Sequence, residues 1–165
     1  MRRRHTRLPS ALGELTLVAD GSALVGCFFP GQRHDGGPQL LAAEDPVLAA
    51  AAQQLTEYFS GQRRVFELPL PPLGESFEER VWALLRDIDY GRTVTYGQIA
   101  AQVGGRGYSQ RVGQAVGRNP WSIIVPCHRV IGADGSLTGY AGGLHRKRAL
   151  LELEGVLPSA ADRLF

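Results

Sequence analysis

Leu15, Leu17 and Ala19 alternate with polar or small residues, and the dipeptide Asp20-Gly21 follows them. A two-residue period running into a turn dipeptide predicts a β-hairpin over Leu12–Phe29, with Cys27 in its second strand. The stretch "GQRHDGGPQ" has no period and reads as a loop. "PVLAAAAQQLTEYF" then predicts a helix over Pro46–Phe59, with Pro46 suited to its first turn and Gly61 beyond its end. "LPLPPLGES" interrupts the pattern and marks a linker. Past it, Phe77, Val81, Leu84, Leu85 and Ile88 form an apolar stripe at helical spacing. Ser76 is the expected N-cap of that helix, and Glu79 the expected far side of a capping box. A short helix follows over Tyr96–Val103, then the loop "GGRGY", then "QRVGQAVG" as a helix capped by Ser109. Two short helices joined by a Gly-rich turn resemble a helix-turn-helix. The last helix, "GLHRKRALLELEGV", turns Leu150, Leu151 and Leu153 toward a core and stops at Gly155.

This order predicts an α+β chain: a small N-terminal sheet-plus-helix domain over residues 1–70, a linker at 71–75, and a mainly helical domain over 76–165. Two features do not fit a purely structural reading. Gly113, Ala115 and Gly117 leave the second helix of the pair nearly bare on one side, at a cost of up to about 1 kcal/mol per glycine. Close approach of another backbone, a DNA groove or a neighbouring helix, would account for it. The basic first turn of the last helix opposes the helix dipole, so those charges serve another purpose.

Charge sharpens this. Across 165 residues the net charge is +2. Between Tyr90 and Arg148, however, eight basic residues (Arg92, Arg106, Arg111, Arg118, Arg129, Arg146, Lys147, Arg148) meet only Asp134, giving +7 there and −5 for the remainder. A basic segment on a near-neutral chain fits a polyanion partner such as nucleic acid, and fits an ordinary solvated surface as well. No apolar run is long enough to span a bilayer. "MRRRHTR" is not followed by the apolar core of a secretory signal. The expectation is a cytoplasmic protein with both cysteines reduced.

The candidate chemistry lies in "NPWSIIVPCHRVIG", Asn119 to Gly132. A β-prone run ends at Pro126 and is followed by a thiol, an imidazole and a guanidinium. A thiol becomes a nucleophile on losing its proton, helped by a nearby base or positive charge. Adjacent strand residues face opposite ways, so Cys127 and His128 need a turn or a bridging water to cooperate. Glu152 and Glu154 are the candidates to orient the histidine. No second cysteine or histidine stands at a zinc-ligand spacing, so no metal is expected. Read this far, a cysteine hydrolase and an inert buried cysteine remain open.

The wider pattern is more specific. "PCHRV" with Asn119 eight residues before the cysteine, "GSLTGYAGGLHRKRALLELEG" after it, and upstream "FEERVWALLRDIDYGRTVTYGQIA" and "VGQAVGRNP" together resemble the O6-alkylguanine-DNA alkyltransferases, also called methylated-DNA–protein-cysteine methyltransferases. The resemblance runs from about Ser76 to Gly155; the first 70 residues are similar only in outline. It implies an active-site turn beside the helix-turn-helix and an irreversible transfer of an alkyl group to Cys127. His128 would act as base through a water, and Glu154 would orient it. Asn119 would tie the helix pair to the turn, and Tyr96 would donate to guanine N3. Tyr140, Ala141 and Gly142 would close over the lesion, and the Cys127 and Val130 carbonyls would read the exocyclic amine. Gln110, Arg111, Gly113, Arg118 and Arg129 would form the DNA face. The implied partner is double-stranded DNA containing O6-alkylguanine or O4-alkylthymine, met by a monomer without cofactor or membrane, with cooperativity on DNA left open.

Two positions depart from the family pattern. Gln110 stands where the family places an arginine that fills the gap left by a flipped base, with Arg111 next to it. Ala141 stands where serine is common, which bears on the choice of alkyl group. Three other readings compete. A non-catalytic lesion sensor would lack the cysteine, a cysteine hydrolase would turn over, and a plain helix-turn-helix regulator would need no thiol.

Overall fold

The computed structural model describes residues 3–158, so Met1, Arg2 and the last seven residues of the expected C-terminal domain lie outside the described residues. The chain divides into two compact units. One runs to Leu73 and takes back Pro120–Ile124; the other holds Gly74–Asn119 and Val125 onward. The α+β class expected from the order of elements is the one observed.

The first unit is a three-stranded antiparallel sheet, β1 (Arg3–Leu8), β2 (Leu15–Asp20) and β3 (Ala23–Phe28), in that order, with a helix α1 (Pro46–Phe59). The hairpin lies where the alternation placed it, with Asp20 paired to Ala23 across the turn. β1 was not visible as a strand. Its sequence, "RRHTRL", carries the charged side chains of an edge strand and has only Thr6 buried. Leu48, Ala51, Leu55 and Tyr58 give α1 one buried face at helical spacing. Asp45 caps it, its Oδ1 accepting the Val47 and Leu48 N–H groups at 3.0 Å each, and the Arg4 guanidinium pairs with the same carboxylate. That pairing ties the edge strand to the helix. Pro120–Ser122 lies along β3: Cys27 N–H donates to Pro120 O at 2.9 Å and Ser122 N–H to Cys27 O at 3.1 Å. Trp121, fully buried, donates its indole N–H to Leu24 O at 2.8 Å.

The second unit comprises α2 (Ser76–Arg86), β4 (Val94–Thr95), α3 (Tyr96–Val103), α4 (Ser109–Gly117), β5 (Val130–Ile131) and α5 (Leu144–Leu153). The cap of α2 is shifted one residue from the expected place. Glu75 takes the N-cap position and its N–H donates to Glu78, while Glu79 accepts from Gly74 N–H. A run of three glutamates around Ser76 offers two frames for the same motif, and the earlier one is used. Its core residues are Val81, Trp82 and Leu85, each burial stabilising by roughly 2 kcal/mol. Trp82 Nε1 donates to Ala115 O at 2.8 Å and fixes α2 against α4. Thr95 caps α3 through Gln98 N–H at 3.1 Å.

Ser109 does not cap α4 but begins it, after a 3-10 turn over Arg106–Tyr108. A Cβ at Gly104, between the two helices, would sit 2.5 Å from the exposed Tyr108 ring, so a larger residue there would require that ring to move. In α5, Leu150 and Leu151 are buried but Leu153 is 37 % exposed, because the buried face is centred between Lys147, Leu150, Leu151 and Glu154 and Leu153 falls outside its edge. β4 and β5 form a two-residue parallel ladder, Val94 opposite Val130. No helix among the described residues is long and apolar enough to cross a membrane.

Candidate active site

Residues 121–130 are all buried, yet Ile123-Ile124-Val125 forms no strand. Ile124 N–H donates to Ser122 O at 2.8 Å around Ile123, whose φ is 73°. A β-branched residue there stores strain of order 1–3 kcal/mol. Cys127 N–H donates to Val125 O at 2.7 Å around Pro126, at φ −79° and ψ 66°. Those angles are an inverse γ-turn, which the fixed φ of proline favours. The proline therefore converts an apolar run into a corner, and a 3-10 turn over Cys127–Arg129 follows at once. At three residues per turn, successive side chains diverge by about 120°, and the three neighbours take three environments.

Cys127 is 6 % exposed. Burial pushes its pKa up, while the Asn119 amide, the charge of Lys147 and the nearby Tyr140 hydroxyl pull it back. Asn119 is itself buried, and its Nδ2 donates to Val125 O at 2.8 Å. It thereby links the end of α4 to the turn that carries the thiol.

His128 is completely buried and its Nε2 lies 2.7 Å from Glu154 Oε2. With the ionised carboxylate as acceptor, Nε2 carries the hydrogen and Nδ1 keeps its lone pair. Nδ1 has no hydrogen-bond partner among the described residues. Burial lowers the His128 pKa against the opposing pull of Glu154, keeping the ring neutral at physiological pH. Glu154 is buried too, which alone would raise its pKa. Bonds from His128 and Arg129 outweigh this and hold it at about 2. Of the two candidate acids, Glu154 is the one joined to the histidine.

Arg129 lies inside the unit, not on a DNA-facing surface. It is 5 % exposed, donating Nε to Glu154 Oε1 at 2.8 Å, Nη2 to Oε2 at 3.0 Å and Nη1 to Ile88 O at 2.6 Å. A guanidinium buried against a carboxylate and the Ile88 carbonyl, just past α2, is turned away from phosphate. Lys147, counted in the basic segment, is wholly buried as well. Arg92, Arg106, Arg111, Arg118 and Arg148 remain exposed.

A cleft of about 260 Å³ opens beside the thiol, lined by Tyr96, Gly113, Val116, Gly117, Cys127 and the loop Gly139–Ala141. A Cβ at Gly113 or Gly117 would meet nothing within 4 Å, so the bare side of α4 is cleft wall and not a helix-packing surface. Ala115, grouped with them in sequence, is buried away from the cleft, and its carbonyl accepts from Trp82. Tyr96 OH donates to Thr138 O at 3.2 Å, and burial raises its pKa, keeping it a phenol. Tyr140 and Ala141 line the cleft, and Gly142 is buried behind them with its carbonyl accepting from Arg146 at 2.9 Å. The Val130 carbonyl accepts from Lys147 Nζ at 2.5 Å. Gln110 and Arg111 are both exposed at the start of α4, but the Arg111 guanidinium sits 4.0 Å over the Phe77 ring. Arg118 pairs with Glu78 at 3.3 Å while staying largely in solvent.

Lys147 is the residue of this site that the sequence did not reveal. The dipole mismatch of the last helix pointed to its first turn without saying which of His145, Arg146, Lys147 or Arg148 turned inward.

An α+β chain with a cysteine on the wall of a cleft, beside a bare helix of a helix-turn-helix, defines the class. Residues 4–72 match the family model described as 6-O-methylguanine DNA methyltransferase, ribonuclease-like domain, and residues 76–156 match the DNA binding domain of the same enzymes. The chain belongs to this methylated-DNA–protein-cysteine methyltransferase family. It is 46 % identical over 161 residues to the Mycobacterium tuberculosis methylated-DNA–protein-cysteine methyltransferase, covering 98 % of each chain. To the protein of that name from Methanosarcina barkeri it is 53 % identical over 148 residues, covering 89 % of this chain and 94 % of the other. The crystal structure of Mycobacterium tuberculosis OGT in complex with DNA is similar at a TM-score of 0.84, with 43 % identity, 98 % of this chain and 99 % of that one covered.

Proposed function

We propose that this protein repairs DNA by moving the alkyl group of O6-alkylguanine onto Cys127, where it stays. The observation that carries this reading is a thiol only 6 % exposed that nonetheless lines a 260 Å³ cleft with a phenol on the same wall. A base inside a stacked duplex cannot reach such a place, so the damaged nucleotide is flipped into it, at a cost of a few kcal/mol. His128 Nδ1 accepts the thiol proton through a water, with Glu154 holding the ring. The sulfur attacks the alkyl carbon, an S–C bond forms, and the C–O6 bond breaks with its electron pair passing to the purine. Tyr96 turns from Thr138 O to guanine N3 and neutralises the developing charge. In net terms the thiol proton and the alkyl group change places, and the guanine leaves with one proton more. The thioether resists hydrolysis, so each molecule acts once.

The two departures from the family pattern fit the same scheme. Gln110 lies three and seven residues before Gly113 and Gly117, on the cleft-facing side of α4. Arg111 is engaged on Phe77. Gln110 is therefore assigned to the gap left by the flipped base. Gln110→Ala should widen the rate deficit on duplex relative to single-stranded substrate, and Arg111→Ala should not; the reverse pattern would exchange the roles. At Ala141 the methyl replaces a hydroxyl on the loop that closes the cleft.

The reading is tested with duplex DNA carrying a labelled O6-methyl group. One equivalent of label per protein, transferred in a burst and then halted, is expected for the native chain, and none for Cys127→Ala with duplex binding retained. Continued turnover would favour a hydrolase, and label on Cys127→Ala would remove the thiol from the reaction.

A further inference from the structure

Arg111 on α4 and Arg118 at its C-cap are both engaged by the first turn of α2. The Arg111 guanidinium stacks 4.0 Å over the Phe77 ring, with the Tyr108 ring centre 5.5 Å away. Arg118 Nη1 donates to Glu78 Oε2 at 3.3 Å. Together with Gln114, Glu75, Phe77 and Glu78 these side chains line a small pocket of about 60 Å³. The partners of the Arg118–Glu78 pair are unequal. Glu78 is held in place: its Oε1 accepts the Glu75 N–H at 3.1 Å in the capping box of α2, and its side chain is 15 % exposed. The Arg118 side chain is 69 % exposed. Exposed ion pairs are weak partly because two flexible side chains must be ordered at once. Here the fold has already ordered the acid, so the pair costs only the freedom of the arginine. Arg118 also directly follows Gly117, which walls the cleft. Rotation about its side-chain bonds alone takes the guanidinium from Glu78 toward whatever lies along that wall.

We propose that Glu78 is an internal competitor of the DNA backbone for Arg118: it holds the guanidinium while no DNA is bound and yields it to a phosphate when α4 docks. This inference rests on the reading of α4 as the DNA face. Carboxylate and phosphate are both oxyanions that the same fork of guanidinium N–H donors fits. Each encounter with a duplex therefore gives up the Glu78 contact to gain the phosphate contact. Affinity for undamaged duplex is set below what the arginine would give with no rival. Glu78 in this way shortens the stay on undamaged DNA, since differences in affinity between related complexes fall mostly in dissociation.

The test is a double-mutant cycle on affinity for an undamaged duplex at fixed salt, with the native protein, Glu78→Gln, Arg118→Ala and the double variant. Glutamine keeps the acceptor of the capping box and removes the charge. The expected result is binding tighter by up to about fivefold for Glu78→Gln, the worth of an exposed ion pair read as affinity. Arg118→Ala should bind more weakly, and on that background Glu78→Gln should bring no gain. An equal gain on both backgrounds would make Glu78 a general repeller of DNA and overturn the competition. In the native protein the carbon resonance of the Glu78 carboxylate should shift as duplex is added; a fixed resonance would mean that Arg118 never leaves it. Unchanged affinity for Arg118→Ala would defeat the placement of Arg118 on the DNA face, and the competition with it. Weaker binding by Arg118→Ala, with no gain from Glu78→Gln, would defeat only the role given to Glu78.

Discussion

Cys27 and Cys127 are 0 % and 6 % exposed and neither is in a disulfide, yet their surroundings differ in kind. Cys27 lies within β3 opposite Leu17, its backbone bonded to Pro120 and Ser122, and behaves as a small apolar residue of a sheet core. Cys127 lies in a 3-10 turn among an amide, a phenol and an ammonium, with a cleft on one side. The difference extends to the two units. In the first, the buried polar groups serve the sheet and the α1 cap: Thr6, Asp45 and Ser122. In the second they are Asn119, His128, Arg129, Lys147 and Glu154, four of them ionisable. Burying that many charges is a poor route to stability, and the second unit retains them because each one holds or tunes another. Burial alone says little about reactivity; the company kept at equal burial decides it.

The strongest way to break this comparison is to exchange the fates of the two thiols. Cys127→Ala should reduce alkyl transfer to nothing measurable. Cys27→Ala should transfer one full equivalent and lose only about 1–2 kcal/mol of stability in denaturant unfolding. Loss of transfer with Cys27→Ala would erase the contrast.

The ion cluster comes next in size. Removing one member of a buried pair leaves the other uncompensated, so Arg129→Ala should cost about 3–5 kcal/mol. Arg118→Ala, in a solvent-exposed pair, should cost less than about 1 kcal/mol. Equal losses would place Arg129 outside the core. The cluster also sets acid stability. The Glu154 pKa is depressed from 4.5 to about 2, so the folded state binds its proton more weakly than the unfolded chain does. The resulting stabilisation is complete above pH 4.5 and is lost as the pH falls toward 2. It amounts to about 3 kcal/mol. Glu154→Gln should flatten that limb of the stability curve, and an unchanged limb would assign the acid sensitivity elsewhere.

Smaller effects sharpen the picture of the cleft wall. Gly113→Ala meets no atoms, so it should stabilise α4 by about 0.5–1 kcal/mol. Gly113→Leu should retain the fold and slow transfer by occupying the cleft. Full transfer by Gly113→Leu would mean that the substrate does not pass this wall. The mildest effect is expected at Arg118: the slope of log affinity for undamaged duplex against log salt should fall by about one on Arg118→Ala, and an unchanged slope would remove it from the DNA face.

Regular elements with one buried face were legible in the sequence. α1, α3 and the β2–β3 hairpin follow directly from alternation or helical spacing with a stop signal. β1 was not, because an edge strand of arginines carries no apolar alternation and its pairing is set only by β2. The shifted α2 cap reflects three glutamates that satisfy the motif in two frames. At the site, the chemical candidates were visible because cysteine and histidine are scarce and Pro126 signals a corner. The inward course of Arg129 and Lys147 was invisible, since a basic residue in a basic segment reads as surface until the carboxylate or carbonyls that accept from it are brought close by folding. Residues apart in the chain, Glu154 for Arg129 and Val130 for Lys147, make those sites.

The central claim is tested most directly by the intact mass of the protein after mixing with duplex DNA that carries O6-methylguanine. The account predicts a gain of one methyl group per molecule, located by peptide mapping on Cys127, with no further gain on adding more substrate. An unchanged protein mass with demethylated DNA, or a methyl group mapped to any other residue, would contradict it.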